Sequence, residues 1–278
     1  MIKNFLTRAF TSIFIFLIFG AIVISSLFPY AFEITISLLS AFCVYEALNA
    51  IKIKKHKTLV VFSILYSVSI PVLYSFTSKF FVYYTLVTVA FVYLFNVFSM
   101  CKFKDVKFFD SASSIYLTVV ITSFLTSIVI LTRTFEHGLF YLILCIVCFA
   151  WATDIFAYVF GVLFGKNRFS PNISPKKSIE GSIGGTLTSV ASTVGAMYIY
   201  QSIADIEFSL VTVIVYALIC SIVGQIGDFS FSYIKRSFGI KDFGNLLPGH
   251  GGVLDRLDSL IFISPIFCLL LTINQFIC

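Results

Sequence analysis

Nine apolar runs, at 10–29, 31–50, 58–77, 80–100, 109–131, 138–164, 182–203, 208–233 and 256–277, govern what this chain can fold into. Each approaches the roughly 20 residues that cross a hydrocarbon core of about 30 Å. A soluble domain would show its apolar residues in stripes, whereas here they are unbroken and reach 59% of the chain, with a mean hydropathy of +1.02. The predicted fold class is therefore all-α: a polytopic integral membrane protein of about nine transmembrane helices. Almost nothing is left for an extramembrane domain, so an active site must be built from helices and their short connectors.

Charge sets the orientation. With a cytoplasmic N-terminus and nine alternating helices, all of the 19 lysines and arginines except Lys79 and Arg133 fall on the cytoplasmic side, as the positive-inside rule requires. That distribution accounts for the net charge of +6 without a nucleic-acid partner. Lys3 and Arg8 before the first run resemble a signal peptide, but no small-residue cleavage site follows, so the run is expected to stay as a helix. The seven cysteines lie in or beside apolar runs and read as small buried hydrophobes. Cys145 and Cys148 form a C-x-x-C without a second pair or a nearby histidine to complete a zinc site.

Residues 1–137 contain little chemistry. Glu46 and Asp110 sit near helix ends and read as solvated end groups, and Tyr83 and Tyr84 as interfacial anchors. This half would serve as scaffold, dimer contact or acyl-chain cleft, and the pattern does not choose among them. Residues 138–278 differ. Asp154 is a carboxylate inside an apolar span, four residues before Tyr158 and on its face. Something polar must meet it, either a neighbouring helix or a ligand. Gly161 and Gly165 form a G-x-x-x-G face suited to close packing. From Ser174 the chain reads Ser-Pro-Lys176-Lys177-Ser178-Ile-Glu180-Gly181-Ser-Ile-Gly184-Gly185. Two lysines beside a glycine-rich helix start make an anion site, although lysines there also fix topology and the glycines also permit packing. Asp228, Ser232 and Lys235 share one helical face, with Asp228 roughly 10 Å deeper than Lys235.

The polar connector at 232–258 concentrates Lys235, Arg236, Lys241, Asp242, Asp255, Arg256 and Asp258 with His250 and five glycines. Its pattern, Ser232-x-Ile234-Lys235-Arg236, Lys241-Asp242-x-Gly244 and Leu247-Pro248-x-His250-Gly251-Gly252-Val253-x-Asp255-Arg256-Leu257-Asp258, resembles the signature of the phosphatidate cytidylyltransferases, or CDP-diacylglycerol synthases. Two earlier segments resemble the same family: Asp154-x-x-Ala157-Tyr158, and the 174–185 stretch with Ser178 in a threonine position. Phe229 and Phe231 depart from it, standing where the family commonly has leucine and glutamate before the Lys-Arg pair.

The resemblance implies transfer of a cytidylyl group from CTP to phosphatidic acid, with pyrophosphate released. It assigns catalytic roles to Asp228, Asp255, Lys235 and Asp258, with Asp228 and Asp255 holding Mg²⁺ and room for a second cation. Substrate would be bound by Asp154, Ser174, Lys176, Lys177, Gly181, Gly184, Gly185, Arg236, Lys241, His250 and Arg256. His250 could order a turn, contact phosphate or act as a base, and Asp242 could be ligand, ion-pair partner or cap. The expected partners are CTP, phosphatidic acid, the lipid bilayer and a second copy in a homodimer, with the site on the cytoplasmic face of a bacterial inner membrane. A CTP-dependent polyprenol kinase shares the nucleotide problem, and a proton-coupled transporter would use the same buried carboxylates along a path.

Overall fold

A computed structural model describes residues 16–17, 19–28, 30–51, 57–76, 108–170, 174–247 and 251–277. Helices fill the apolar runs within them. After a helical stretch at 19–25 come α1 (Ala31–Ala50), α2 (Lys57–Phe76), α3 (Phe108–Thr134), α4 (Gly138–Ile143), α5 (Thr153–Leu163), α6 (Ile179–Ala204), α7 (Leu210–Ser237) and α8 (Leu254–Ile273). α4 and α5 are joined without a break by nine residues of π-helix, Leu144–Ala152. Among the described residues, five stretches are long and apolar enough to cross a membrane: Ala31–Ala50, Ala112–Thr134, Gly138–Leu163, Leu210–Ser237 and Leu254–Ile273. The chain is thus a helical membrane protein. α6 is a 26-residue helix over the expected 182–203 run, but its glycines, serines and threonines dilute its hydropathy below that of the five. The run at 80–100, with Tyr83 and Tyr84, lies outside the described residues, as does His250, and the side chain of Asp110 is not described.

One local exception to helix is an antiparallel ribbon of β1 (Arg168–Ser170) and β2 (Ser174–Ser178), with Arg168 opposite Ser178 and Ser170 opposite Ser174. Pro171 and Pro175 exclude a helix interior here, and the extended chain delivers Lys176 and Lys177 to the start of α6.

The chain divides into two compact units, Met1–Ile130 with Ile240–Arg256, and Leu131–Gly239 with Leu257–Cys278. In the first, α1 packs on α2 around Phe32, Ile36, Val44, Leu48 and Ile70, while Leu117, Ile121 and Leu125 of α3 are equally buried. Ser40 Oγ donates to Thr122 Oγ1 across α1 and α3 at 3.4 Å. The connector after Ile240 folds with these helices.

In the second unit, glycines let helix axes approach. A side chain at Gly224 or Gly227 of α7 would run into Ile263 or Phe262 of α8. Near the other end of α7, the Tyr216 hydroxyl reaches the carbonyls of Leu270 and Asn274, both at 2.7 Å, and so ties α7 to the last turn of α8. Tyr141 is fully buried, edge-on to Phe135, Phe267 and Phe276. Cys43, Cys145, Cys148, Cys220 and Cys268 are free and buried. This agrees with their reading as hydrophobes.

Candidate active site

In the second unit, α7 carries Asp228, Ser232 and Lys235 on one face toward its C-terminal end. Ser232 Oγ donates to Asp228 Oδ1 at 3.4 Å, and Lys177 Nζ lies 2.6 Å from Asp228 Oδ2. Lys177 gets there because β2 runs straight into α6: Ser178 is extended and caps the helix, its Oγ accepting the Gly181 N–H at 3.1 Å. Glu180, one residue into α6, reaches back over the preceding loop. Its carboxylate accepts the backbone N–H groups of Lys166 and Asn167 at 3.2 Å and the Asn167 side-chain amide at 2.9 Å. The Glu180 carboxyl is held below the usual carboxylate range, first by its own backbone N–H and then by those of Asn167 and Lys166.

A second layer lies behind this ion pair. Asp258 and Lys235 are each only 8% exposed, and Asp258 feels the charges of Asp228, Asp154 and Lys235. Asp258 Oδ1 accepts the Ser259 N–H at 2.9 Å, and Ser259 Oγ donates to Asp154 Oδ2 at 3.3 Å. The polar partner that Asp154 requires is thus a hydroxyl on α8. Three carboxylates, Asp154, Asp228 and Asp258, share the cluster with Lys177 and Lys235, and Lys177 can trade one anion for another.

Sequence reasoning missed the frame beneath Asp154. Thr153 Oγ1 lies 3.0 Å from Ser221 Oγ, Ser221 Oγ donates to Thr186 Oγ1 at 3.3 Å, and Gln225 Nε2 donates to the same Thr186 oxygen at 2.9 Å. Ser182 Oγ closes the chain on Gln225 Oε1. The π-helix ends at Ala152, two residues before Asp154, and one of its carbonyls, that of Cys148, accepts Ser189 Oγ at 2.9 Å. π-Turns inside helices occur frequently at functional sites. The spacing of Thr153, Ser221 and Gln225 among apolar neighbours was the available signal.

In the first unit, the connector is organised by two buried carboxylates. Asp255 Oδ2 accepts the N–H groups of Phe243 and Gly252, each at 2.9 Å. Gly251 has a left-handed φ of +81°, and a Cβ there would sit 3.0 Å from Asp255 Oδ2 and 3.3 Å from Asp242 Oδ1. Only glycine fits this turn. Lys241, Asp242 and Arg256 are exposed. The second carboxylate is Glu46, which corrects its reading as a solvated end group: it is 5% exposed, and its Oε2 accepts the Leu254 N–H at 2.9 Å.

The sequence pattern of the cytidylyltransferase family matches residues 6–274. The chain belongs to that family. Proteins named phosphatidate cytidylyltransferase are similar to it: that of Staphylococcus epidermidis is 40% identical over 139 residues, covering 50% of this chain and 52% of the relative. That of Staphylococcus saprophyticus is 41% identical over 141 residues, 51% and 52% of the two chains, and that of Staphylococcus aureus 41% over 139 residues, 50% and 52%. The chain spans about half the length of the curated relatives it matches.

Within this cytidylyltransferase-family chain, the site residues divide between the units. Asp154, Lys177, Asp228, Lys235 and Asp258 gather in the second, and Asp255 is tied into the connector of the first. Arg236 is exposed at the end of α7, Ser174 is half-buried in β2, and Lys176 precedes Lys177 in the same strand. Gly181, Gly184 and Gly185 are buried where α6 meets α5: a Cβ would strike Ala157, Phe160 and Thr153 respectively. Their side-chain face is therefore filled by helix packing, the alternative that G-x-x-x-G spacing left open, and a phosphate contact from them would have to come through backbone. Phe231, in the position of the family's glutamate, is buried edge-on against Phe262. The departure has turned that position into core.

The donors suit the metal that the family implies. Carboxylates are hard oxygen ligands of the kind Mg²⁺ takes. Among the described residues no three His, Cys, Asp or Glu side chains are gathered for one ion. A one- or two-carboxylate site completed by water and substrate phosphates is the coordination Mg²⁺ favours.

Proposed function

We propose that this chain is a phosphatidate cytidylyltransferase, transferring the cytidylyl group of CTP to phosphatidic acid to give CDP-diacylglycerol and pyrophosphate for phospholipid synthesis. The observation that carries the reading is the ion pair of Lys177 with Asp228, backed by the buried Asp258 and Lys235, in a chain of the cytidylyltransferase family. The names of the staphylococcal relatives support the lipid acceptor.

In this reading an anionic oxygen of the phosphatidate phosphate attacks the α-phosphorus of CTP. The bond from that phosphorus to the bridging β-phosphate oxygen breaks, and pyrophosphate leaves with the electron pair. The nucleophile is already ionised, so no general base is needed, and the work of the protein is to position and neutralise charge. Lys177 exchanges the Asp228 carboxylate for a nucleotide phosphate oxygen. Lys176, Arg236, Lys241 and Arg256 supply further positive charge to the two substrates, and Lys235 and Asp258 lie buried behind them. Asp228 and Asp255 are the residues that would hold Mg²⁺, with a second cation allowed, and the ion when bound supplies Lewis-acid neutralisation of the phosphates.

Nine spans with a cytoplasmic N-terminus would place these residues on the cytoplasmic face of a bacterial inner membrane, where CTP is available, and residues 1–137 would offer the surface for a homodimer. Purified full-length chain given CTP, phosphatidic acid and Mg²⁺ tests the activity. CDP-diacylglycerol with pyrophosphate is the expected product pair. CDP with a phosphorylated lipid would make the chain a kinase, and no turnover would sink the proposal.

A further inference from the structure

The connector from Phe243 to Asp255 needs an external restraint. It contains four glycines, one at a left-handed φ, and it supplies Asp255. Its restraint comes from α1, more than 200 residues earlier. The Glu46 carboxylate accepts the N–H of Leu254 at 2.9 Å and also that of Val253. These are backbone donors at the start of α8, where unsatisfied N–H groups and the helix dipole both favour an anion. The same carboxylate occupies the space that side chains at Gly244 and Gly252 would fill: a Cβ on Gly252 would lie 2.6 Å from Glu46 Oε2 and 2.8 Å from Oε1. Asp255 in turn binds the N–H of Gly252. Glu46 thus holds Val253 and Leu254, the two residues enclosed by the Gly252 to Asp255 link, and the two signature glycines are the gap through which it reaches them.

We propose that Glu46 is a positioning residue of the catalytic site: it fixes the first turn of α8 and the glycine turn before it, and so sets where the Asp255 carboxylate stands. This role rests on the cytidylyltransferase reading above. It gives α1 an indirect part in the chemistry, exerted through the connector backbone.

The test uses full-length protein carrying Glu46→Ala or Glu46→Gln, read by amide hydrogen exchange of residues 243–256, by thermal melting, and by kcat and KM for CTP per folded molecule. For Glu46→Ala we expect faster exchange confined to that segment, and kcat lowered roughly 10- to 100-fold, the usual cost of losing an outer residue that orients a ligand, with KM little changed. Glutamine keeps one acceptor oxygen and should fall between alanine and wild type. If the alanine variant does not fold, the glutamine variant carries the test, since it preserves volume. Wild-type exchange in the connector would overturn the clamp. Normal kcat per folded molecule in a variant with loosened exchange would overturn the positioning role and leave a purely structural contact. A wild-type protein that makes no CDP-diacylglycerol would overturn the functional reading and the positioning role with it, while the exchange measurement would still decide whether Glu46 restrains the connector.

Discussion

Replacing Gly185 by alanine adds a single methyl group where α5 and α6 leave no room. The new Cβ would lie 2.5 Å from the Thr153 carbonyl oxygen and 2.9 Å from Ala157 Cβ, against an ordinary contact of at least 3.4 Å. Backbone cannot rotate out of the way as a side-chain tip can, so the two helices must part by about 1 Å, at an overpacking cost of about 1–3 kcal/mol. The displaced backbone is that of Thr153, which hydrogen-bonds Ser221 and immediately precedes Asp154. A displacement of about 1 Å at a positioned group can cost roughly 100-fold in turnover. We therefore expect Gly185→Ala to lower CDP-diacylglycerol formation per folded molecule by about that factor. Gly195→Ala is the control: it lies ten residues further along α6 with nothing within 4 Å of the added Cβ, and it should raise helix stability by up to about 1 kcal/mol. Turnover, thermal melting and size-exclusion behaviour in detergent are the measurements. Wild-type activity and melting in Gly185→Ala would refute the packing argument, and so would equal damage from Gly195→Ala.

Asp228→Asn and Asp255→Asn should each nearly abolish CTP-dependent turnover in protein that still inserts, and retained activity would remove the metal role. Lys177→Met should barely change melting, because a partly exposed pair contributes about 1 kcal/mol or less. It should raise KM for CTP roughly 10-fold or more, the worth of a charge-assisted hydrogen bond; an unchanged KM would place the triphosphate elsewhere. For Glu180 the folded-state pKa lies below the unfolded one. The contribution of its clasp on Lys166 and Asn167 is therefore complete above the unfolded value and is lost as pH falls through the folded value. Proteolysis of the 164–168 loop should separate wild type from Glu180→Gln near neutral pH, and the difference should vanish in acid.

Hydropathy located the helices because lipid-spanning segments advertise themselves residue by residue, without reference to partners. The clustering of Asp228, Ser232 and Lys235 was equally legible, since helical periodicity alone puts them on one face. The ribbon at 168–178 was not, although Pro171 and Pro175 forbade a helix there. The 181–185 glycines show a different limit. Glycine beside lysine is compatible both with a phosphate cradle and with a close helix crossing, and only the position of α5 tells them apart.

Glu46 marks where reading along the chain must fail. A glutamate near the end of an apolar helix looks the same whether it faces water or a backbone 208 positions away. Burial of a carboxylate is tolerable only when donors meet it, so the informative pattern was held jointly by two distant segments: an acid in α1, and glycines at 244 and 252 small enough to admit it. Neither half is diagnostic alone. Such a pairing would let a helix of the first 137 residues act on a site whose recognisable motif lies in the other half. The Glu46 carboxylate is spent on the backbone of the connector rather than on a side chain of the signature.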